Sequence, residues 1–383
     1  MDFSALGLPA PLLQAIKEQG YDQPFPIQQK AIPAILAGQD ILGIARTGSG
    51  KTASFVLPLL QQFQKKPAAR NRFIKALVLV PTRELALQVA NVFHDFSAHL
   101  TRRVKTLAVF GGVSINPQMM ALSGTEVLVA TPGRLLDLVD SNALQLSEVE
   151  VLVLDEADKM LNLGFEEEMN RIFALLPSKR QNLLFSATLA EDIQTIKEKL
   201  LRDPLVVSVE EQQRDEEQLE LIEQVAYRVS TERKGPFLRY LIKQENMQQV
   251  LVFVSSGRNA DNLVVKLNKN GLKAMAMHGK KSQGARTEAL KRFKAGKLRV
   301  LVATDLASRG IDVQFLPFVI NYELPRSPKD YIHRIGRTGR AGATGKAISL
   351  ITPEDEHHFK IIQKKMGKNV EMLGSDEVNL QGF

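Results

Sequence analysis

ILGIARTGSGKTASF, residues Ile41 to Phe55, decides the fold class of the chain. An apolar run reads as a buried strand, a turn punctuated by Gly48 and Gly50 follows, and a helical pattern opens at Lys51. A strand that passes through glycines into a helix N-terminus is a phosphate cradle. The glycines let backbone N–H groups approach phosphate oxygens, and the new helix turns its positive end toward them. In such a cradle Lys51 reaches the β and γ phosphates and Thr52 holds Mg²⁺. The general pattern G-x-x-x-x-G-K-[ST] would start with glycine at position 45, where this chain has Ala45, so the loop belongs to a subclass of that pattern. A chance glycine turn ahead of a lysine is the plainer explanation, and the preceding strand weighs against it.

Downstream, VEVLVLDEADKML (Val149 to Leu161) runs through apolar, largely β-branched residues and ends in carboxylates. A nucleotidase with this cradle needs a second strand end that offers a carboxylate to the metal, and Asp155 stands there. Glu156 beside it is placed to orient and deprotonate an attacking water, which points to hydrolysis and not to binding alone. Alone, such a strand end would equally be the start of a solvated loop.

The alternation seen around Ile41 extends along the chain. Strands are expected at residues 40–45, 76–81, 106–110, 126–130, 149–155 and 182–188. A second series is expected at 249–255, 272–279, 298–305, 318–323 and 345–351. Continuous apolar runs of this kind are buried on both faces, with helices above and below a mainly parallel sheet. The polar, acidic stretch around Glu210 to Glu220 interrupts the series and reads as a flexible linker, or else as an exposed helix at a domain edge. The expected organisation is a first α/β domain over 1–207, a linker over 208–224, a second domain over 225–372 and a frayed tail over 373–383. At 383 residues the chain has room for two domains of the usual size, about 100–200 residues each.

Composition narrows the chemistry. There is no cysteine, which excludes disulfides, thiolate metal sites and cysteine nucleophiles and fits a reducing compartment. The net charge of +8 favours polyanionic partners. No stretch approaches the roughly 18 apolar residues of a membrane span, and the N-terminus lacks the pattern of a signal peptide, so a cytoplasmic protein is expected. His357 and His358, with Lys360, Lys364, Lys365 and Lys368, read as a surface helix and not as a metal site.

In the second half, YIHRIGRTGRAG places Arg334, Arg337 and Arg340 three apart. Arginines at that spacing can line one side of a turn and present planar donors to phosphate. A solvated basic patch is the ordinary alternative. The second half has no cradle of its own, so its arginines would serve the nucleotide of the first as fingers supplied in cis.

Taken together the motifs resemble those of the DEAD-box ATP-dependent RNA helicases of helicase superfamily 2. In order they are GYDQPFPIQ (Gly20 to Gln28) with Phe3 upstream, ARTGSGKT, PTRELA (Pro81 to Ala86), GG (Gly111, Gly112), TPGR (Thr131 to Arg134), DEAD (Asp155 to Asp158), SAT (Ser186 to Thr188), VFVSS (Val252 to Ser256), QGAR (Gln283 to Arg286), ATDLASRGID (Ala303 to Asp312) and HRIGRTGR (His333 to Arg340). The start MDFSALGL and the segment HGKKSQGARTEAL further resemble the bacterial RhlE-like subgroup.

The resemblance implies two tandem RecA-like domains, ATP and Mg²⁺ as cofactors, and RNA as partner. It implies that Gln28 reads adenine by a two-point amide contact, with Phe3 or Tyr21 stacking and Gln23 nearby. Ala45, Arg46, Thr47, Gly48, Ser49, Gly50, Lys51 and Thr52 would cradle the phosphates. Gly310 and Asp312 would approach the nucleotide from the second domain, with Arg337 and Arg340 as the fingers. Asp158, Ser186, Thr188 and His333 would couple domain closure to RNA. RNA contacts are implied for Thr82, Arg83, Gly111, Gly112, Thr131, Gly133, Arg134, Ser256, Arg286, Thr304 and Asp305, mostly to the backbone, with little sequence specificity. Without tryptophan, and with 6% aromatics, no stacking platform is visible. The expected activity is an RNA-dependent ATPase that opens short duplexes or remodels RNA–protein complexes, acting as a monomer, with ribosome assembly and RNA decay as open settings. A DNA-directed relative and an ATP-gated RNA clamp are the competing readings.

Overall fold

The computed structural model describes residues 2–45, 48–67, 71–189, 191–208, 222–305, 316–339 and 345–383. The chain divides into two compact units, 1–210 and 211–383. Each is built on a seven-stranded sheet whose pairings are all parallel.

In the first unit the strands are β1 (Ile41–Ile44), β2 (Ala76–Leu79), β3 (Thr106–Val109), β4 (Val127–Ala130), β5 (Val151–Leu154), β6 (Gln181–Ser186) and β7 (Leu205–Ser208). Their spatial order is β3-β4-β2-β5-β6-β1-β7. The second unit holds β8 (Ile222–Arg228), β9 (Val250–Phe253), β10 (Ala274–Met277), β11 (Val300–Ala303), β12 (Phe318–Asn321), β13 (Gly345–Ile351) and β14 (Glu371–Gly374), in the order β10-β11-β9-β12-β13-β8-β14. Counted from the first strand of each unit, the two orders are the same.

Alternation along each strand sorts side chains into two cores, one per sheet face. In β2, Ala76 and Val78 enter one cluster while Leu77 and Leu79 enter the other. In β5 the pair Val151 and Val153 opposes Leu152 and Leu154. The second unit repeats this with Val250 and Val252 against Leu251 and Phe253. Burial on both faces is why these strands read as continuous apolar runs.

Three strands escaped the sequence reading, β7, β8 and β14; β8 opens inside the stretch read as linker, and β7 and β14 lie at the same edge of their sheets. β7 pairs with β1 (Leu42 opposite Val206), and β14 pairs with β8 (Met372 opposite Ala226). Edge strands need only partial burial, so their sequences carry a weaker apolar signal. The last dozen residues are therefore not a frayed tail. After β14, Ser375 is buried and its hydroxyl donates to the Arg228 carbonyl at 2.7 Å. Arg233 donates to the Ser375 and Val378 carbonyls (2.8 and 2.9 Å), and Phe383 packs edge-on against Tyr240. The linker limits also shift: Ser208 closes β7 and Ile222 to Gln224 open β8, while residues 209–221 lie outside the described residues. No helix among the described residues is long and apolar enough to cross a membrane.

Candidate active site and nucleic-acid face

Parallel sheets place their working loops at the carboxyl ends of the strands. In the first unit that edge divides in two. The cradle follows β1, Asp155 follows β5, and Ser186 ends β6; these three strands are adjacent in the order β5-β6-β1. Thr82 follows β2, Gly111 and Gly112 follow β3, and Thr131 follows β4, on the other adjacent triplet, β3-β4-β2.

At the cradle Gly48 and Gly50 both have left-handed φ, 88° and 87°. A methyl group on Gly50 would lie 2.5 Å from Gln28 Nε2 and 2.8 Å from the Phe25 ring, so Gly50 is required twice, by its backbone angle and by its neighbours. Helix Lys51–Gln64 starts there. Lys51 is 6% exposed and donates to the Ala45 carbonyl at 2.5 Å, holding its ammonium inside the loop where phosphate would bind. Thr52 is half-buried in the first turn of the helix. Arg46 and Thr47 lie outside the described residues.

Gln28 is fully buried. Its Oε1 accepts from the Phe25 N–H (2.9 Å) and its Nε2 donates to the Gly50 carbonyl (3.1 Å). Each end of the amide retains one further hydrogen-bonding position. The aromatics near the cradle differ in their surroundings. Phe3 is 3% exposed inside the core with Leu6 and Leu12, and Tyr21 packs on Phe96 at 5.8 Å, whereas Phe25, 43% exposed, stands beside Gln28 and Gly50. Its position between Pro24 and Pro26, three residues ahead of Gln28, was the available signal. Gln23 is exposed on the same loop.

Asp155 is 2% exposed, and its Oδ1 is buried with no hydrogen-bond partner among the described residues. Burial pushes its carboxyl up to about 6, with Glu156 adding to the rise and Lys51 and Lys159 opposing it. A carboxylate oxygen left without a donor in the interior suits a cation, so the residues here fit a divalent metal. Glu156 is a non-glycine residue at φ 56°, a conformation that stores roughly 1–3 kcal/mol and recurs at functional sites. Lys159 grips its Oε1 at 2.6 Å, a contact the sequence reading passed over.

The coupling residues separate. Thr188 Oγ1 donates to Asp158 Oδ2 (3.4 Å). Ser186 does not reach the acidic segment: its hydroxyl donates to the Thr188 carbonyl (2.8 Å) and accepts from the Thr188 N–H (3.3 Å), so it orients Thr188.

On the other triplet, Thr82 caps helix Arg83–Phe96 by accepting from the Leu85 N–H, and a methyl group on Gly112 would meet the Arg83 guanidinium at 1.9 Å. Arg83 thus lies against the glycine loop. Thr131 precedes helix Pro132–Asp140, whose first turn contains Gly133 and Arg134. Arg134 turns inward: at 7% exposure it donates to the Val113 carbonyl (2.9 Å) and to Asp137 (3.2 Å), bracing the loop that follows Gly112.

In the second unit Ser256 follows β9 and caps helix Gly257–Lys269, and Thr304 and Asp305 follow β11. Arg286, buried at 7% exposure, is in helix Gln283–Lys294. Arg334 holds both carboxylate oxygens of Asp305, at 2.6 and 2.8 Å. Arg334 is 2% exposed, donates also to Asn321 and the Glu323 carbonyl, and lies over the Phe253 ring. Arg334 therefore does not stand in an exposed row of phosphate donors. Arg334 is a core residue, Arg337 is half-buried just after helix Pro328–Ile335, and Arg340 lies outside the described residues with Gly310 and Asp312. His333 is exposed on that helix. His357 is exposed, His358 meets the Pro325 carbonyl at 2.7 Å, and Lys364 and Lys365 face outward.

Comparison with known proteins follows the same two-part plan. Residues 25–196 match the DEAD/DEAH box helicase family and residues 233–342 the Helicase conserved C-terminal domain. The chain is 38% identical over 372 residues to the ATP-dependent RNA helicase CshA of Listeria monocytogenes, covering 97% of this chain and 70% of that protein. It is also 38% identical to the DEAD-box ATP-dependent RNA helicase RhpA of Helicobacter pylori, over 98% of this chain and 75% of the relative. Among solved structures, Saccharomyces cerevisiae Dbp5 bound to RNA and ADP BeF3 aligns with a TM-score of 0.84 at 30% identity, covering 98% of this chain and 96% of that one. These relatives do not single out the RhlE-like subgroup. Two parallel sheets of one strand order, a cradle and a DEAD strand end on strands flanking β6, and family matches to both halves lead to one conclusion: the chain belongs to the DEAD-box ATP-dependent RNA helicases, enzymes with tandem RecA-like domains.

Proposed function

We propose that this enzyme hydrolyses ATP in response to RNA and uses ATP-driven closure of its two domains to open short duplexes and remodel RNA–protein complexes. The observation that carries the reading is the division of the first sheet's carboxyl edge into a nucleotide triplet and a second triplet, with the Asp158–Thr188 bond on the nucleotide side. The bound state of Dbp5, with RNA and ADP BeF3 together, supports a site that takes both ligands at once.

In this reading Gln28 and Phe25 receive the adenine, Lys51 leaves the Ala45 carbonyl for phosphate, and Glu156 accepts the proton of the attacking water. Thr52 and Asp155 would hold Mg²⁺, which supplies charge neutralisation at the phosphates when bound. Arg337 and Arg340 act as fingers from the second domain, with Gly310 and Asp312 beside them. Thr82, Arg83, Gly111, Gly112, Thr131, Gly133, Ser256 and Thr304 take the RNA backbone. Arg134 acts indirectly by holding the glycine loop. ATP and RNA would strengthen each other's binding by the same factor.

Glu156→Gln tests the reading. Turnover should fall by about a hundredfold or more while ATP-dependent RNA affinity persists, because the closure contacts survive. Loss of that affinity would contradict the base assignment. Equal stimulation of the ATPase by matched RNA and DNA oligonucleotides would replace RNA with nucleic acid in general.

A further inference from the structure

The chain's positive charge is concentrated in one place. Residues 257–299 contain twelve lysines and arginines and two acids, Asp261 and Glu288. The rest of the chain contains 38 cations and 40 acids. The basic character of the protein therefore comes from the segment that forms helix Gly257–Lys269, β10 and helix Gln283–Lys294.

Topology places most of these cations at the end of the domain opposite its motifs. Ser256, Thr304 and Asp305 sit at the carboxyl ends of β9 and β11. Lys266, Lys269 and Lys273 lie on the last turns of the first helix and its return to β10, while Lys291, Arg292, Lys294 and Lys297 lie on the corresponding return to β11, at the amino ends of the strands. Hydrogen bonds fix these returns. Asn268 exchanges bonds with both backbone groups of Ala274 (3.0 Å each), Gln249 donates to the Phe293 carbonyl (2.7 Å), and Val300 N–H donates to the Lys273 carbonyl (3.0 Å). Neighbouring strands are about 4.8 Å apart, so the two returns lie side by side. Lys266, Lys269, Lys273, Lys291 and Lys297 are exposed, with no acidic partner among the described residues. Glu288 is engaged by Arg292, and Asp261 pairs with Lys281 and His278 near the other end.

Lysines at helix C-termini also complement the helix dipole. The first domain shows how little of this charge that requires. Its equivalent segment, residues 83–126, contains four cations and three acids. The last turn of helix Arg83–Phe96 offers only His94.

We infer that the amino-end surface of β10 and β11 is a second RNA-binding face, which holds the phosphate backbone of duplex or flanking strand beyond the segment gripped at the motif end. A field of one sign attracts a polyanion over the width of the domain and reads no sequence. The inference rests on the RNA-helicase reading for the identity of the polyanion.

The test is the quadruple variant Lys266→Gln, Lys269→Gln, Lys273→Gln and Lys291→Gln, none of which belongs to the ATP or motif machinery. Direct binding is measured for a short single strand and for the same strand extended by a long duplex. The variant should bind the short strand as the wild type does and the extended RNA about tenfold or more weakly. The slope of log affinity against log salt should fall by up to about 3–4, near 0.9 per lost phosphate contact. Equal loss on both RNAs, or no loss on either, overturns the inference. So does intact RNA binding with loss of binding to vesicles rich in anionic lipid, which would make the patch a membrane surface. Wild-type ATPase that ignores RNA would instead overturn the helicase reading, while the binding comparison still decides the patch.

Discussion

The two domains share one strand order, and equivalent positions in them carry opposite polar states. After β1 the chain makes a glycine cradle and starts its helix with Lys51. After β8 it makes VSTER, with no glycine, and starts its helix with Lys234. Both lysines are buried, at 6% and 5% exposure. Lys234 is satisfied within its domain by Asp355 (3.6 Å) and the face of Tyr322, although burial still lowers its pKa. Lys51 has a single loop carbonyl among the described residues. The carboxylates after the fifth strands differ in the same way. Glu323 accepts from the Ser255 N–H, the Ser255 hydroxyl and Asn259, whereas Asp155 keeps a buried oxygen with no donor among the described residues. One fold with satisfied polar groups is a scaffold. The same fold with groups left short of partners is a site prepared for a ligand.

The widest contrast is expected between the lysines. Lys51→Ala should cut turnover by about a hundredfold or more and weaken both ATP binding and ATP-dependent RNA binding, with a small effect on melting. Lys234→Met should leave the turnover of folded enzyme near wild type and shift the melting temperature. ATPase assays and thermal unfolding run in parallel on both variants would break the comparison if Lys234→Met abolished turnover without unfolding the domain.

The second contrast lies within the motif HRIGRTGR. Arg334→Lys keeps the charge but loses the two-oxygen grip on Asp305 and the donors to Asn321 and Glu323. Taking these partners from a buried cation should cost about 3 kcal/mol, read in urea unfolding of the second domain's signal. Arg337→Lys should leave that transition in place and lower turnover by about a thousandfold, the scale of an arginine finger. Similar unfolding midpoints for the two variants would remove the division between core and catalytic arginine.

That division also marks how far the sequence could be read. The cradle and the acidic strand end were legible because their chemistry sits at short spacings: glycines that permit left-handed backbone, and charges where an apolar strand stops. The orientation of Arg334 was not legible, since its partner Asp305 is 29 residues away and arginines three apart look alike until one finds a carboxylate to turn toward. Arg134 turned inward for the same reason, toward the Val113 carbonyl. Phe25 and Phe3 are both isolated phenylalanines in sequence, and only packing shows that Phe3 is inside the core while Phe25 faces the nucleotide loop. The edge strands β7 and β14 escaped because one partner strand and partial exposure ask little of a sequence, and β8 escaped because its polar residues continue the acidic stretch ahead of it.

The smallest of these effects is the most specific to the unsatisfied carboxylate. Burial pushes the Asp155 carboxyl from its ordinary value up to about 6 in the folded chain. A carboxyl with a raised folded pKa favours the native state in its protonated form, and that advantage is lost as pH rises from the unfolded value through the folded one. At neutral pH the ionised group should therefore cost the metal-free domain about 2–3 kcal/mol. Asp155→Asn keeps the shape and removes the charge, so it should raise the melting temperature of the metal-free enzyme while abolishing turnover. The gain should be small near pH 4, grow toward pH 6 and stay level above about pH 7. Glu323→Gln offers the matching control in the second domain, where three donors attend the carboxylate: there the substitution should lower stability. Calorimetry at several pH values, without nucleotide or divalent cation, compares the two. If Asp155→Asn destabilised the metal-free enzyme at pH 7, the buried oxygen would not be a cost that the fold carries for its ligand.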